Sequence, residues 1–231
     1  MTHSPLSLTT MFMLGPVRIT EPVVITWGIM GVLTVGSWLA TRTLTLDPSR
    51  RQAVIELIVG VIADQIRETM RVEPAPYLRL VATLFLFILA ANWSSLIPGL
   101  EPPTAHIETD AALALVVFVA VIYFGIRARG LGGYLKTFAE PTIIMVPLNV
   151  VEVMTRTFSL IVRLFGNVMS GVFIIGIILS LAGLLVPIPL MALDLLTGAV
   201  QAYIFTVLAM VFIASVVATE SPTRINERTD P

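Results

Sequence analysis

Apolar residues in this chain come in long unbroken runs rather than in the alternation of a half-buried strand. Residues 23–41 (VVITWGIMGVLTVGSWLAT) form the first run, close to the ~20 residues that a helix needs to cross a bilayer. Trp27 and Trp38 suit its two interfaces. Residues 78–97 and 111–126 make two further spans, the first ending at Pro98-Gly99. From 142 to 219 the chain is apolar again, and Pro187 and Pro189 divide this stretch into two long helices. Its length fits two steeply tilted helices or a pair each interrupted once, and the pattern does not choose between them.

Residues 49–73 follow a different rule. Val54, Ile55, Leu57, Ile58, Val61, Ile62 and Ile66 fall on one broad face, with Arg51, Glu56, Asp64, Arg67, Glu68 and Arg71 elsewhere. That arrangement predicts an amphipathic helix lying in the membrane interface. A loop helix facing the core is the ordinary alternative. Between 127 and 136 the glycines at 130, 132 and 133, with Arg127, Arg129 and Lys136, read as a basic connector.

Composition narrows the class. Hydrophobic residues are 56% of the 231 and charged residues only 13%, about half the ~25% typical of a soluble domain. The expectation is an all-α integral membrane protein: about five transmembrane helices plus one interfacial helix, forming a single membrane domain over residues 1–231. The net charge of −1 gives no basic footprint for nucleic acid. Without cysteine, thiolate metal sites and disulfides are excluded. The first twenty residues lack the plan of a signal peptide. No catalytic group, cofactor site or metal site is expected: His3 and His106 lie outside the spans, and GLGG at 130–133 has no phosphate-loop lysine after it.

Lysine and arginine placement orients the chain. The 42–79 segment and the 127–136 connector are basic, whereas the 99–110 loop carries Glu101, Glu108 and Asp110 without Lys or Arg. The N-terminus is therefore expected outside, the basic segments in the cytoplasm, the acidic loop outside and the C-terminus in the cytoplasm.

Polar groups inside the spans carry the chemistry. A charge at mid-bilayer costs about 2.5–3.5 kcal/mol even on the insertion scale. From Glu152 the positions Arg156, Ser159, Arg163, Asn167 and Ser170 recur at steps of three and four, one face of a helix. Arg163 cannot escape its cost by deprotonation, so it needs an aqueous cavity or a carboxylate. A structural partner within the chain is the plainer alternative for it, and an i, i+4 salt bridge is the plainer one for Glu152 and Arg156. On the last helix, Asp194, Thr197 and Gln201 share a face, with Gly198 and Ala202 allowing close helix approach. A carboxylate in an apolar setting can take up a proton, the property a relay needs.

Arg163-Leu164-Phe165-Gly166-Asn167 resembles the RLFGN signature of the F-type ATP synthase membrane subunit a family. Pro147, Asn149, Glu152 and Ser159-Leu160 resemble that family's positions at the same spacing, and Gln201-Ala202-Tyr203-Ile204-Phe205 resembles its last-helix segment. Asn92, Leu96 to Gly99, Pro103-Thr104 and Asp110 look like the family's second-span end and following loop.

The resemblance implies a stator channel in a bacterial inner membrane, its two long C-terminal helices packed against a rotating c-subunit ring. Peripheral-stalk b subunits and an F1 head would be further partners, with protons or sodium ions as the coupling ion. Arg163 would face the ring carboxylates, with Asn167 and Gln201 positioning it. Glu152 and Ser159 would line the cytoplasmic half-channel. The family commonly has a glutamate after the glycine matching Gly171, where this chain has Val172. The expectation is that Asp194 supplies the missing outer carboxylate. A secondary transporter is the alternative class, but no internal repeat supports it.

Overall fold

A computed structural model describes residues 10–14, 17–42, 50–97, 100–139, 145–182 and 186–217. Pro98-Gly99, Pro141, the first residues of the 142–219 stretch and the C-terminal tail lie outside them, so the expected places of both termini do too.

The chain opens with an antiparallel hairpin of β1 (Thr10–Leu14) and β2 (Val17–Thr20), which the sequence pattern did not predict. Helices follow: α1 (Glu21–Thr41), α2 (Arg50–Met70), α3 (Ala75–Trp93), α4 (Ile107–Ala139), α5 (Met145–Ala182) and α6 (Pro187–Val217). Prolines in the first turns of α1 and α3 start those helices, where the missing N–H costs nothing. Two 3-10 turns, Ser94–Leu96 and Pro103–Ala105, shape the connection from α3 to α4. All but α2 are long and apolar enough to cross a membrane, five helices among the described residues. The protein is an all-α membrane protein with one short hairpin added.

α6 is the hub of the bundle, contacting α2, α3, α4 and α5. Ala202, Phe205, Ala209 and Ile213, spaced by three and four, are almost wholly buried. Leu160 and Leu164 of α5, Ile88 and Ala91 of α3 and Ala114 and Val117 of α4 fill the same core. Tyr77 and Phe124, with ring centroids 4.7 Å apart, hold α3 to α4.

Two features differ from the sequence pattern. The broad apolar face of α2 divides: Ile62 and Ile66, with Met70, pack inward, while Val54, Leu57, Ile58 and Val61 stay exposed. The glycine-rich connector is helical except at Gly130, whose φ of 73° breaks α4. Only glycine takes that backbone readily, so one residue absorbs the whole turn. Tyr134 beyond it folds back over Gly125, where an added Cβ would lie 2.6 Å from the ring.

Each of the last two helices is continuous, which resolves the alternatives for that stretch. The 38 residues of α5 make a rod of about 57 Å at 1.5 Å per residue, against a ~30 Å hydrocarbon core. The candidate span covers Val146–Leu181 of it, a length that fits a bilayer when steeply tilted.

Candidate functional site

α5 turns Leu160, Leu164 and Val168 into the bundle, and the polar stripe runs along the flank of that buried face, Arg163 lying one turn from Leu160. Glu152, Ser159, Arg163 and Ser170 are exposed, and Arg156 and Asn167 half-buried. Phe158 and Val162, 64% and 47% exposed, continue the outward surface beyond the stripe. The surface that displays the arginine is thus one that water would not choose to wet.

Arg163 stands at mid-helix and has no ion-pair or hydrogen-bond partner among the described residues. Glu152 and Arg156 do pair with each other, one turn apart. The Arg156 guanidinium also lies over the Phe212 ring, 5.3 Å from its centroid, tying α5 to α6.

Asp194, half-buried on α6, reaches across to α5 at Gly171. Its carboxylate enters the space that a side chain there would fill. Asp194 lies between two clefts. One, of 380 Å³, is lined by Ser95, Glu101 and Pro102 from the loop side and by Val172, Gly176 and Met191 from the helices. The other, of 170 Å³, is lined by Asn167, Ser170, Gly171, Leu193 and Thr197. The carboxylate therefore joins the acidic loop to the polar stripe of α5, and Asn167 and Asp194 share a cleft.

Gln201, expected to position Arg163, lies on the buried side of α6. It is buried, its Nε2 has no hydrogen-bond partner, and no hydrogen bond joins it or the Asn167 side chain to Arg163. α6 is surrounded, so even residues on one helical face meet different neighbours. Among the described residues no group of three or more His, Asp or Glu could hold a metal ion.

The sequence pattern gave no role to the neighbouring Asn92 and Thr104, and to Gly198 only close helix approach; the three hydrogen-bond in series. It also gave none to Asp110. That residue is fully buried in the first turn of α4, with neither carboxylate oxygen hydrogen-bonded. Their signal in the sequence was the resemblance of Asn92, Thr104 and Asp110 to the family's second-span end and following loop.

Such an arrangement defines an integral membrane protein whose polar, charged face is not covered by its own helices. The family model described as ATP synthase A chain matches residues 23–214. The chain is 57% identical to ATP synthase subunit a 2 of Bradyrhizobium sp., over 94% of this chain and 97% of that protein. It is 50% identical to ATP synthase subunit a of Albidiferax ferrireducens, covering 90% and 91% of the two chains. Against ATP synthase subunit a 1 of Chlorobaculum parvum the identity is 51%, covering 89% and 92%. The chain belongs to the ATP synthase A chain family. It is a non-catalytic membrane subunit of that complex, in its Fo part.

Proposed function

We propose that this subunit is the fixed half of a rotary ion channel, with the outward side of α5 set against a ring of c subunits. The observation that carries this reading is Arg163: a permanent charge at mid-helix, exposed, and unpaired among the described residues. A carboxylate brought by another chain satisfies it. Opposite charges about 4 Å apart at an effective dielectric near 20 attract by ~4 kcal/mol. A ring carboxylate arriving at Arg163 is thus driven to release its ion and regains one after moving on. The same charge blocks a direct leak between two offset half-channels. One charge crossing 100 mV yields only ~2.3 kcal/mol, so rotation must sum several transfers for each ATP made.

Asp194 is the carboxylate of the outer half-channel in this reading. Its position between the cleft at the acidic loop and the cleft at Asn167 supports that role, as does the room left by Gly171. Glu152 and Ser159, on the N-terminal half of the stripe, serve the cytoplasmic half-channel. Gln201 and Asn167 line the path near Arg163. The subunit sits in a bacterial inner membrane, N-terminus outside and C-terminus in the cytoplasm, with b subunits and an F1 head completing the assembly. It carries protons or sodium ions.

The test is ATP-driven ion pumping by the whole complex in vesicles, with and without sodium, for wild type and Arg163→Ala. Loss of pumping with assembly intact is the expected result. Coupled transport retained by the variant overturns the reading.

A further inference from the structure

The end of α3 and the loop that follows fasten α6 at the turns that carry its polar residues. Asn92 Nδ2 donates to the carbonyl of Gly198 at 2.8 Å. Thr104 Oγ1 donates to Asn92 Oδ1, also at 2.8 Å. Trp93 Nε1 donates to the Leu195 carbonyl at 3.1 Å. Asn92 and Thr104 are 4% and 0% exposed, so water offers neither an easy substitute partner. Gly198 comes four residues after Asp194 and three before Gln201. The fastened carbonyls therefore lie between the two side chains assigned to the ion path.

The chemistry of the amide makes this contact directional. Oδ1 only accepts and Nδ2 only donates, while a backbone carbonyl only accepts. One amide orientation alone serves Gly198, and the Thr104 hydroxyl, by donating to Oδ1, holds it. The contact also needs the absence of a side chain at 198: an added Cβ would lie 3.0 Å from Asn92 Cβ. Small residues bring helices together in a membrane, but apolar packing leaves a smooth helix free to turn or slide. Two directed bonds to carbonyls three residues apart remove both freedoms.

We infer that Asn92, Thr104 and Gly198 form a positioning clasp that sets the rotation of α6, and so where Asp194 and Gln201 present their polar groups. The three are positioning residues and touch no ion. The inference rests on Asp194 belonging to the ion path, and the experiment separates the two ideas.

The complete ATP synthase complex is reconstituted into vesicles, and ATP-driven membrane potential is read with a voltage-sensitive dye across a range of pH, alongside ATP hydrolysis and complex yield. Thr104→Ser keeps the hydroxyl and pumps within about twofold of wild type. Thr104→Val, nearly the same shape without the donor, loses about fivefold or more, as expected for a change of one or two kcal/mol, while yield and hydrolysis hold. Asn92→Asp has no donor for Gly198 until its carboxyl is protonated, so its pumping relative to wild type rises as pH falls. A residue that merely fills space gives neither result. Wild-type pumping by Thr104→Val, or a wild-type pH profile for Asn92→Asp, overturns the clasp. If Asn92→Asp assembles poorly, the Thr104 pair decides alone. Asp194→Asn run in parallel marks the other failure: normal pumping there removes the ion-path reading, whereas loss there with normal Thr104→Val removes only the clasp.

Discussion

The carboxylate of Asp194 occupies the space beside Gly171 that a side chain on α5 would otherwise fill. An acid on one helix and a missing side chain on the other thus form one feature, built from residues 23 positions apart. Val172, next to Gly171, borders the larger cleft without adding a charge to it. Asp194 accordingly brings to the α5–α6 seam the negative group that α5 lacks there.

Gly171→Ala should therefore turn the Asp194 carboxylate out of its seat. The expected outcome is a loss of ATP-driven pumping with complex yield preserved. Residues in contact couple non-additively, so Gly171→Ala combined with Asp194→Asn should pump no worse than Asp194→Asn alone. Additive losses in a double-mutant cycle would show that the two positions act separately.

The Glu152–Arg156 pair offers a way to separate structure from transport. Both side chains are substantially exposed, and one helical pair of this kind contributes about 0.3–0.5 kcal/mol. Glu152→Gln should leave the thermal midpoint of the detergent-solubilised complex unchanged within error. Its ATP-driven pumping should fall, because a neutral amide cannot exchange an ion. Unchanged pumping would reduce Glu152 to a surface salt bridge.

The absence of cysteine makes orientation directly measurable, since each introduced thiol is the only one in this chain. Glu101→Cys should react with an impermeant maleimide added outside intact cells stripped of their outer wall. Lys136→Cys should react only in inverted vesicles. Labelling of both from the same side would overturn the assigned topology.

Gly130 sets the path of the chain beyond the third span. Its φ of 73° and ψ of 165° lie in a region nearly reserved for glycine, where another residue costs about 1–3 kcal/mol. Gly130→Ala should lift Tyr134 from Gly125 and speed tryptic cleavage after Arg129 and Lys136 in inverted vesicles. An unaltered cleavage rate would mean that the turn tolerates a side chain.

Much of the fold was legible because a membrane helix writes itself in runs. The stretch around Val81, Leu84 and Ile88 announces α3, and prolines at 187 and 189 mark the start of α6. The three-and-four spacing from Glu152 to Ser170 was enough to predict one polar side of α5. What stayed hidden depends on partners distant in sequence. The bond from Asn92 to Gly198 spans 106 residues, and no local pattern encodes it. The burial of Gln201 follows from α6 having helices on several sides, which periodicity along one helix does not report. Gly130 was read as part of a loose connector because glycine clusters usually mark one. Here a single residue bends while its neighbours stay helical.

The unpaired guanidinium of Arg163 also bears on how the complex is built. A newly inserted copy must shelter that charge with headgroups and water drawn toward mid-bilayer, at a cost of about 2.5–3.5 kcal/mol or more. In the proposed reading, docking against a carboxylate-bearing ring removes the defect. On that reading the residue proposed to gate transport also favours assembly, and a copy outside the complex carries its own membrane perturbation.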